Sequence, residues 1–338
     1  MFGIEELKEK IGETAILCPI KDCMIKVERI SKRDLKLLDA YLEERRKIDD
    51  VPPHLKNYFC ERHRIFVTPS TFLYDDYKEN SLWKEEKDMA LLESILERKR
   101  VKAQLCHDNS EDAVTWNVFR FLEKAGLIEG FLSQIIGSPI KSPEVIYWSN
   151  SQKEGKGWAE LDKARKEFGE EIKRSSEPDI IIKTDNTLFF IEAKLTSRNQ
   201  TKPTNANNPK RYQIGGNRWF SKVFRTDYET IAITEKKYEL MRFWLLGTWL
   251  AKEQGLDLYL INLTREGKED KIETLFGRHI NETPTFKFKR LTWESICQYV
   301  SNTGYSSDKE TIMRFFRNKA IGYDKNGELQ KAFVTYQP

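Results

Sequence analysis

The sequence predicts an α/β fold, a mixed sheet flanked by helices, preceded by a small α+β unit of different character. Short apolar runs at 144–148, 180–182, 188–191, 228–234 and 256–263 have strand length, and helical stretches separate most of them. Several runs are apolar on both faces, which calls for a sheet covered on both sides. The run Ile180-Ile181-Ile182 is followed by Asp185-Asn186, a pair that tolerates tight-turn geometry, and then by Leu188-Phe189-Phe190-Ile191, so these residues predict a β-hairpin. The first hundred residues instead carry cysteine and histidine in close pairs.

In chain order, residues 34–47 are mainly helical, and 84–102 form a charged amphipathic helix that joins the two parts. The expected domains are therefore 1–100 and 101–338. A further helix starts with Asn109 or Ser110 as its N-cap and ends at Ala125-Gly126. Its Val114, Val118, Phe121, Leu122 and Ala125 recur at helical spacing and should face a core. Residues 158–174 form a highly charged helix and 235–254 a long one. Past Phe286 a strand and helix repeat once more, and 331–337 could add an edge strand. No internal repeat is present. The polar loop 196–210, with two prolines, is expected to be mobile.

At 338 residues, 39% apolar and 33% charged, the chain can bury a sizeable core and has the composition of a soluble globular protein. Residues 1–10 hold three Glu and two Lys and no apolar core, so no signal peptide is expected. The most apolar helix, 238–251, is too short to span a bilayer and contains Arg242. Five cysteines, an odd number without a secretion signal, argue against a disulfide framework and for a cytoplasmic location.

The chemistry concentrates on the hairpin. With Asp185 and Asn186 as central turn residues, Thr184 sits opposite Thr187, and stepping outward sets Asp179 opposite Glu192. Directly opposed residues share a face with Cβ atoms about 5 Å apart. Lys194, two positions on, projects from that same face. Two like charges this close repel unless a cation or proton lies between them. Hard oxygen ligands at this separation suit Mg²⁺. The alternative is a surface hairpin whose Glu and Lys are simply solvated.

Pro178-Asp179 and Glu192-Ala193-Lys194 together resemble the signature of the PD-(D/E)XK nuclease superfamily, the restriction-endonuclease-like fold, over roughly residues 105–265. The resemblance implies Mg²⁺ (or Mn²⁺) held by Asp179, Glu192, the Ala193 carbonyl and one further acid from the preceding helix. Glu111 matches that acid best and Asp112 second, although a first-turn acid is also favoured by the helix dipole alone. It further implies that Lys194 orients or deprotonates a water, and that products carry 5′-phosphate and 3′-hydroxyl ends. Glu177 would support the site or be solvated.

A second metal set is expected near the N-terminus. Cys18-Pro19-Ile20-Lys21-Asp22-Cys23 and Cys60-Glu61-Arg62-His63 supply three thiols and an imidazole in two close pairs, the soft ligand set of a zinc-finger-like structural Zn²⁺ site. The competing reading is buried free cysteines and an ordinary His63. Cys106 and Cys297 have no partners at useful spacing and are expected in cores.

Net charge is only +4, but residues 193–226 contain eight basic residues and no acid, in a chain with 53 acids. Arg198, Lys202, Lys210, Arg211, Arg218 and Lys222, with Gln213, are the candidates for nucleic-acid contacts; a solvated charged face is the alternative. These features point to a metal-dependent DNA endonuclease in restriction, defence or repair, with DNA as partner and a dimer favoured if both strands are cut. The alternatives are a nuclease-fold DNA-binding protein without turnover, and a protein whose zinc region is the main recognition module.

Overall fold

The computed structural model describes residues 5–12, 17–44, 51, 53–99, 102–171, 176–203 and 209–334. By packing, the chain forms two compact units, Met1–Leu122 with Glu294–Pro338, and Glu123–Trp293. The domain break expected at 100/101 falls on residues outside the described set, as do parts of the expected helices 34–47 and 158–174, the loop 196–210 and the strand 331–337.

The second unit is built on a seven-stranded mixed sheet. Its order is Phe286–Thr292, Asp257–Thr264, Thr187–Ala193, Ile180–Lys183, Glu144–Tyr147, Asn150–Ser151, Lys156–Gly157. The first three strands are parallel and the remaining pairings antiparallel. Helices flank the sheet, so the architecture is the α/β class expected. The hairpin has the predicted register: Ile180 pairs with Ile191 and Ile181 with Phe190. Its turn differs in detail, because neither Asp185 nor Asn186 has a positive φ. Thr184 closes the turn instead: its N–H donates to the Thr187 carbonyl, and its Oγ1 accepts from the Thr187 N–H, both at 2.9 Å.

Ile180, Ile181, Ile182, Leu188, Phe189 and Phe190 are fully buried. Each contributes about 1.5–3 kcal/mol by leaving water. Since a one-residue slip would turn every side chain to the other face, this burial locks the register. Helix Tyr238–Gln254 packs on one face, and Gly247 permits the approach: a Cβ there would lie 3.0 Å from Leu258 and 3.3 Å from Phe190.

One expected strand is corrected. Residues 229–234 form a π-helical turn, Glu229–Thr234, with Glu235 N–H donating to the Thr230 carbonyl. Asp227 initiates it by accepting from the Thr230 N–H at 2.9 Å, a local cap that overrides the β-branched composition. The following helix accordingly begins at Tyr238 rather than 235.

In the first unit, Phe59–Cys60, Ile65–Val67 and Phe72–Tyr74 form an antiparallel sheet. Helix Glu111–Lys124 is capped by Ser110, whose Oγ accepts from the Ala113 N–H at 3.1 Å. Val114, Val118, Phe121 and Leu122 are buried as expected, whereas Ala125 is exposed. The C-terminal segment joins this unit because its strands Ala320–Tyr323 and Leu329–Lys331 continue onto the N-terminal residues, with Leu329 N–H donating to Glu9 O at 2.8 Å. The buried Lys319 ammonium also donates to Asp108 O at 2.6 Å.

Gly216 lies in a kink within Pro209–Arg218, at φ +57°, where a Cβ would meet Phe168 at 2.7 Å and Trp249 at 2.8 Å. Gly216→Ala should therefore destabilise the protein by about 2 kcal/mol or more in urea unfolding; unchanged stability would mean the kink is not required.

Candidate active site and metal centre

Asp179 and Glu192 flank the last paired residues of the hairpin, so continuing the register sets them opposite each other at the end of two central strands. Both are nearly buried, as is Lys194. They lie on the face of Phe190, Leu258 and Leu260, which helix Tyr238–Gln254 covers. Asp179 is held at both oxygens: Oδ1 accepts from the Trp148 indole N–H at 3.1 Å and Oδ2 from the Ala193 N–H at 2.8 Å. The Lys194 ammonium pairs with Glu192 Oε1. The Lys194 backbone is fixed too, its N–H donating to Leu263 O at 2.7 Å and its carbonyl accepting from Trp293 Nε1 at 3.2 Å.

Glu192 is the electrostatic centre. Burial, and then the Asp179 carboxylate beside it, push its pKa well above the ordinary carboxylate range; Glu239 adds to the push and Lys194 opposes it. Glu192 Oε2 is buried with no hydrogen-bond partner. A buried, unpartnered carboxylate oxygen facing a second carboxylate is what a hard divalent cation would satisfy, so these residues fit Mg²⁺ or Mn²⁺.

Behind Glu192 is a polar network that sequence reasoning did not identify. Asn262 pairs with Glu192 across the parallel strands. Its side chain joins Asn199 and Glu269, with Asn262 Nδ2 donating to Glu269 Oε2 at 3.1 Å and Asn199 Nδ2 to the same oxygen at 2.9 Å. Lys237 Nζ donates to Asn199 O at 2.7 Å. The Glu239 N–H donates to Thr201 Oγ1 at 3.0 Å, which ties the start of the long helix to the segment after Lys194. Glu239 carried a readable signal as a first-turn acid of that helix. Trp148 carried one only through register, because it opposes Asp179 once strand Glu144–Tyr147 is paired with Ile180–Lys183.

The other predicted residues are placed as follows. Glu111 opens helix Glu111–Lys124 in the first unit and is half-buried, while the neighbouring Asp112 is bound by Lys99 at 2.8 Å. Arg198, Lys202, Lys210, Gln213, Arg218 and Lys222 are exposed. Arg211 is half-buried and turned inward, donating to Gly169 O at 3.2 Å and to the Tyr212 hydroxyl at 2.7 Å. Glu177 lies 3.5 Å from the buried Arg165 guanidinium.

In the first unit the structure brings Cys18, Cys23, Cys60 and His63 together, with their ligand atoms all within 4.8 Å of one another. His63 Nδ1 is 3.6 Å from Cys18 Sγ and 3.5 Å from Cys60 Sγ. Tetrahedral zinc with ordinary Zn–S and Zn–N bonds would separate such atoms by about 3.6 Å. The hairpin that carries Cys60 turns through Arg64 at φ +52°, which folds His63 back beside it. The hydrogen bond between Cys18 and Cys60 lowers the Cys60 thiol's pKa, with His63 beside it adding to the drop and burial opposing it, while the same bond and burial raise that of Cys18. Cys106 and Cys297 are buried, as expected for core residues.

The seven-stranded mixed sheet flanked by helices defines an α/β protein of restriction-endonuclease-like architecture, beside a cysteine–histidine cluster that could hold a metal ion. A family model described as Restriction Endonuclease associating with ARP matches residues 44–319, and the chain belongs to that family. Comparisons with curated proteins and with solved structures return no match. Among the described residues no helix is long and apolar enough to cross a membrane.

Two measurements test these sites. Purified protein should contain one zinc per chain, and Cys60→Ser should lose it together with the first unit's cooperative melting; full stability without zinc would count against the centre. For the carboxylates, Glu192 holds its proton more tightly folded than unfolded. Metal-free protein should therefore lose stability as pH rises from 4.5 through the folded pKa, and a bound cation reverses that loss. The melting-temperature gain in Mn²⁺ should widen with pH across that window and be absent in Glu192→Gln. A gain independent of pH would contradict it.

Proposed function

We propose that this chain is a metal-dependent DNA endonuclease that hydrolyses phosphodiester bonds. The observation that carries the reading is the buried Asp179–Glu192 pair with Lys194 beside it and the partnerless Glu192 Oε2. Membership of a restriction-endonuclease family supports it. Asp179 and Glu192 would hold Mg²⁺, and the Ala193 carbonyl remains a candidate through the resemblance to PD-(D/E)XK nucleases. When bound, the cation supplies Lewis-acid stabilisation of charge on the phosphate.

The chain's own residues do the rest. Asp179, fixed at both oxygens, keeps its position as substrate arrives. Lys194, nearly buried and paired with Glu192, supplies a proton donor or acceptor and a positive charge where charge develops on phosphate. The exposed Arg198, Lys202, Lys210, Arg218 and Lys222 attract the polyanion without reading its sequence. The Cys18, Cys23, Cys60 and His63 centre, on this reading, holds structural Zn²⁺. Cutting both strands would call for two copies of the chain.

Plasmid nicking with and without Mg²⁺ tests the proposal. Wild type should nick only with the metal, and Asp179→Ala and Lys194→Ala should each lose about a hundredfold or more of that rate. Lys194→Ala should still bind DNA. Binding without any metal-dependent nicking by wild type would leave a DNA-binding protein of nuclease fold.

A further inference from the structure

The turn between strands Glu144–Tyr147 and Asn150–Ser151 consists of Trp148 and Ser149, at φ +44° and +61°. Two-residue connections with both φ values positive normally carry Asn-Gly or Asp-Gly. A tryptophan in this region is an outlier that persists only where its surroundings impose it. Here the imposed conformation has an identifiable product. It extends the pairing with Ile180–Lys183 by one residue, so that the Trp148 N–H donates to Asp179 O at 3.0 Å. It also turns the buried indole, 4% exposed, so that Nε1 donates to Asp179 Oδ1 at 3.1 Å. The other oxygen, Oδ2, accepts from the Ala193 N–H of the strand on the opposite side.

We propose that Trp148 is a positioning residue that presents the Asp179 carboxylate to a divalent cation; this rests on the reading of Asp179 as a metal ligand. The chemistry of the donor favours that role. Lysine or arginine at this place would neutralise Asp179 and compete with the cation. An indole N–H and a backbone N–H orient the carboxylate without themselves bringing a charge to it. A buried tryptophan needs only one acceptor for its N–H, which a backbone carbonyl could provide. This one is directed at a carboxylate opposite Glu192, by a turn of unfavourable backbone conformation.

The test uses full-length protein and direct Mn²⁺ binding by calorimetry, with Asp179→Ala as reference. Trp148→Phe should weaken Mn²⁺ binding at least about tenfold, leave the melting temperature in chelator near that of wild type, and regain wild-type kcat at saturating Mn²⁺. A merely structural role would not be rescued by metal. If Trp148→Phe does not fold, benzothienylalanine at 148, which exchanges the indole nitrogen for sulfur and keeps the ring's packing, should show the same loss. Unchanged Mn²⁺ affinity in a folded variant lacking the N–H would overturn the proposal alone. Wild-type Mn²⁺ affinity that survives Asp179→Ala would overturn the metal-site reading itself, and the proposal with it.

Discussion

Two carboxylates facing each other out of water constrain everything around them. Glu192 is pressed by burial and by Asp179, and Lys194 offsets that only in part. Such an arrangement opposes folding, so it persists only because stronger forces hold the backbone. Those forces come from the hairpin's own apolar residues, buried on both faces of the sheet, and from Gly247, which lets the long helix press against Phe190 and Leu258. The same register that fills the core delivers the carboxylates to one spot.

Neutral donors and paired charges hold the segments that lead to the pair. Asp179 receives an indole and a backbone N–H. The chain just ahead of it is gripped by Arg242, which donates to Ser176 O at 3.3 Å and is itself paired with the buried Glu170. Arg165 donates to the same Ser176 carbonyl at 3.3 Å. Breaking such buried pairs is expensive, so they keep the approach to Pro178-Asp179 in one conformation. Lys237 and Glu269 do the same behind Glu192, where burial lowers the Lys237 pKa and Glu269 opposes that shift. The cysteine–histidine cluster in the first unit offers soft thiol and imidazole donors instead of carboxylate oxygens, so the two sites differ in donor type.

Much of this was legible in the sequence where local rules govern. The hairpin register follows from a two-residue turn between apolar runs, and the cluster follows from two close Cys/His pairs. Ser110 capping and the helix it begins were readable for the same reason. Residues 228–234 misled because a short β-branched run does not distinguish a strand from a buried helical turn, and the Asp227 cap decides between them. Trp148 stayed hidden because its role depends on a turn no sequence rule assigns to Trp-Ser. Asn199, Asn262 and Glu269 stayed hidden because their network joins residues as many as 70 positions apart. The return of the C-terminal segment to residues 8–11 is equally non-local.

The most direct measurement is anomalous diffraction from crystals soaked in Mn²⁺ at neutral pH. The account predicts a peak bonded to one oxygen each of Asp179 and Glu192, with the Asp179 contacts to Trp148 and Ala193 retained. Full-occupancy manganese elsewhere in the second unit, with nothing between these carboxylates, would contradict it.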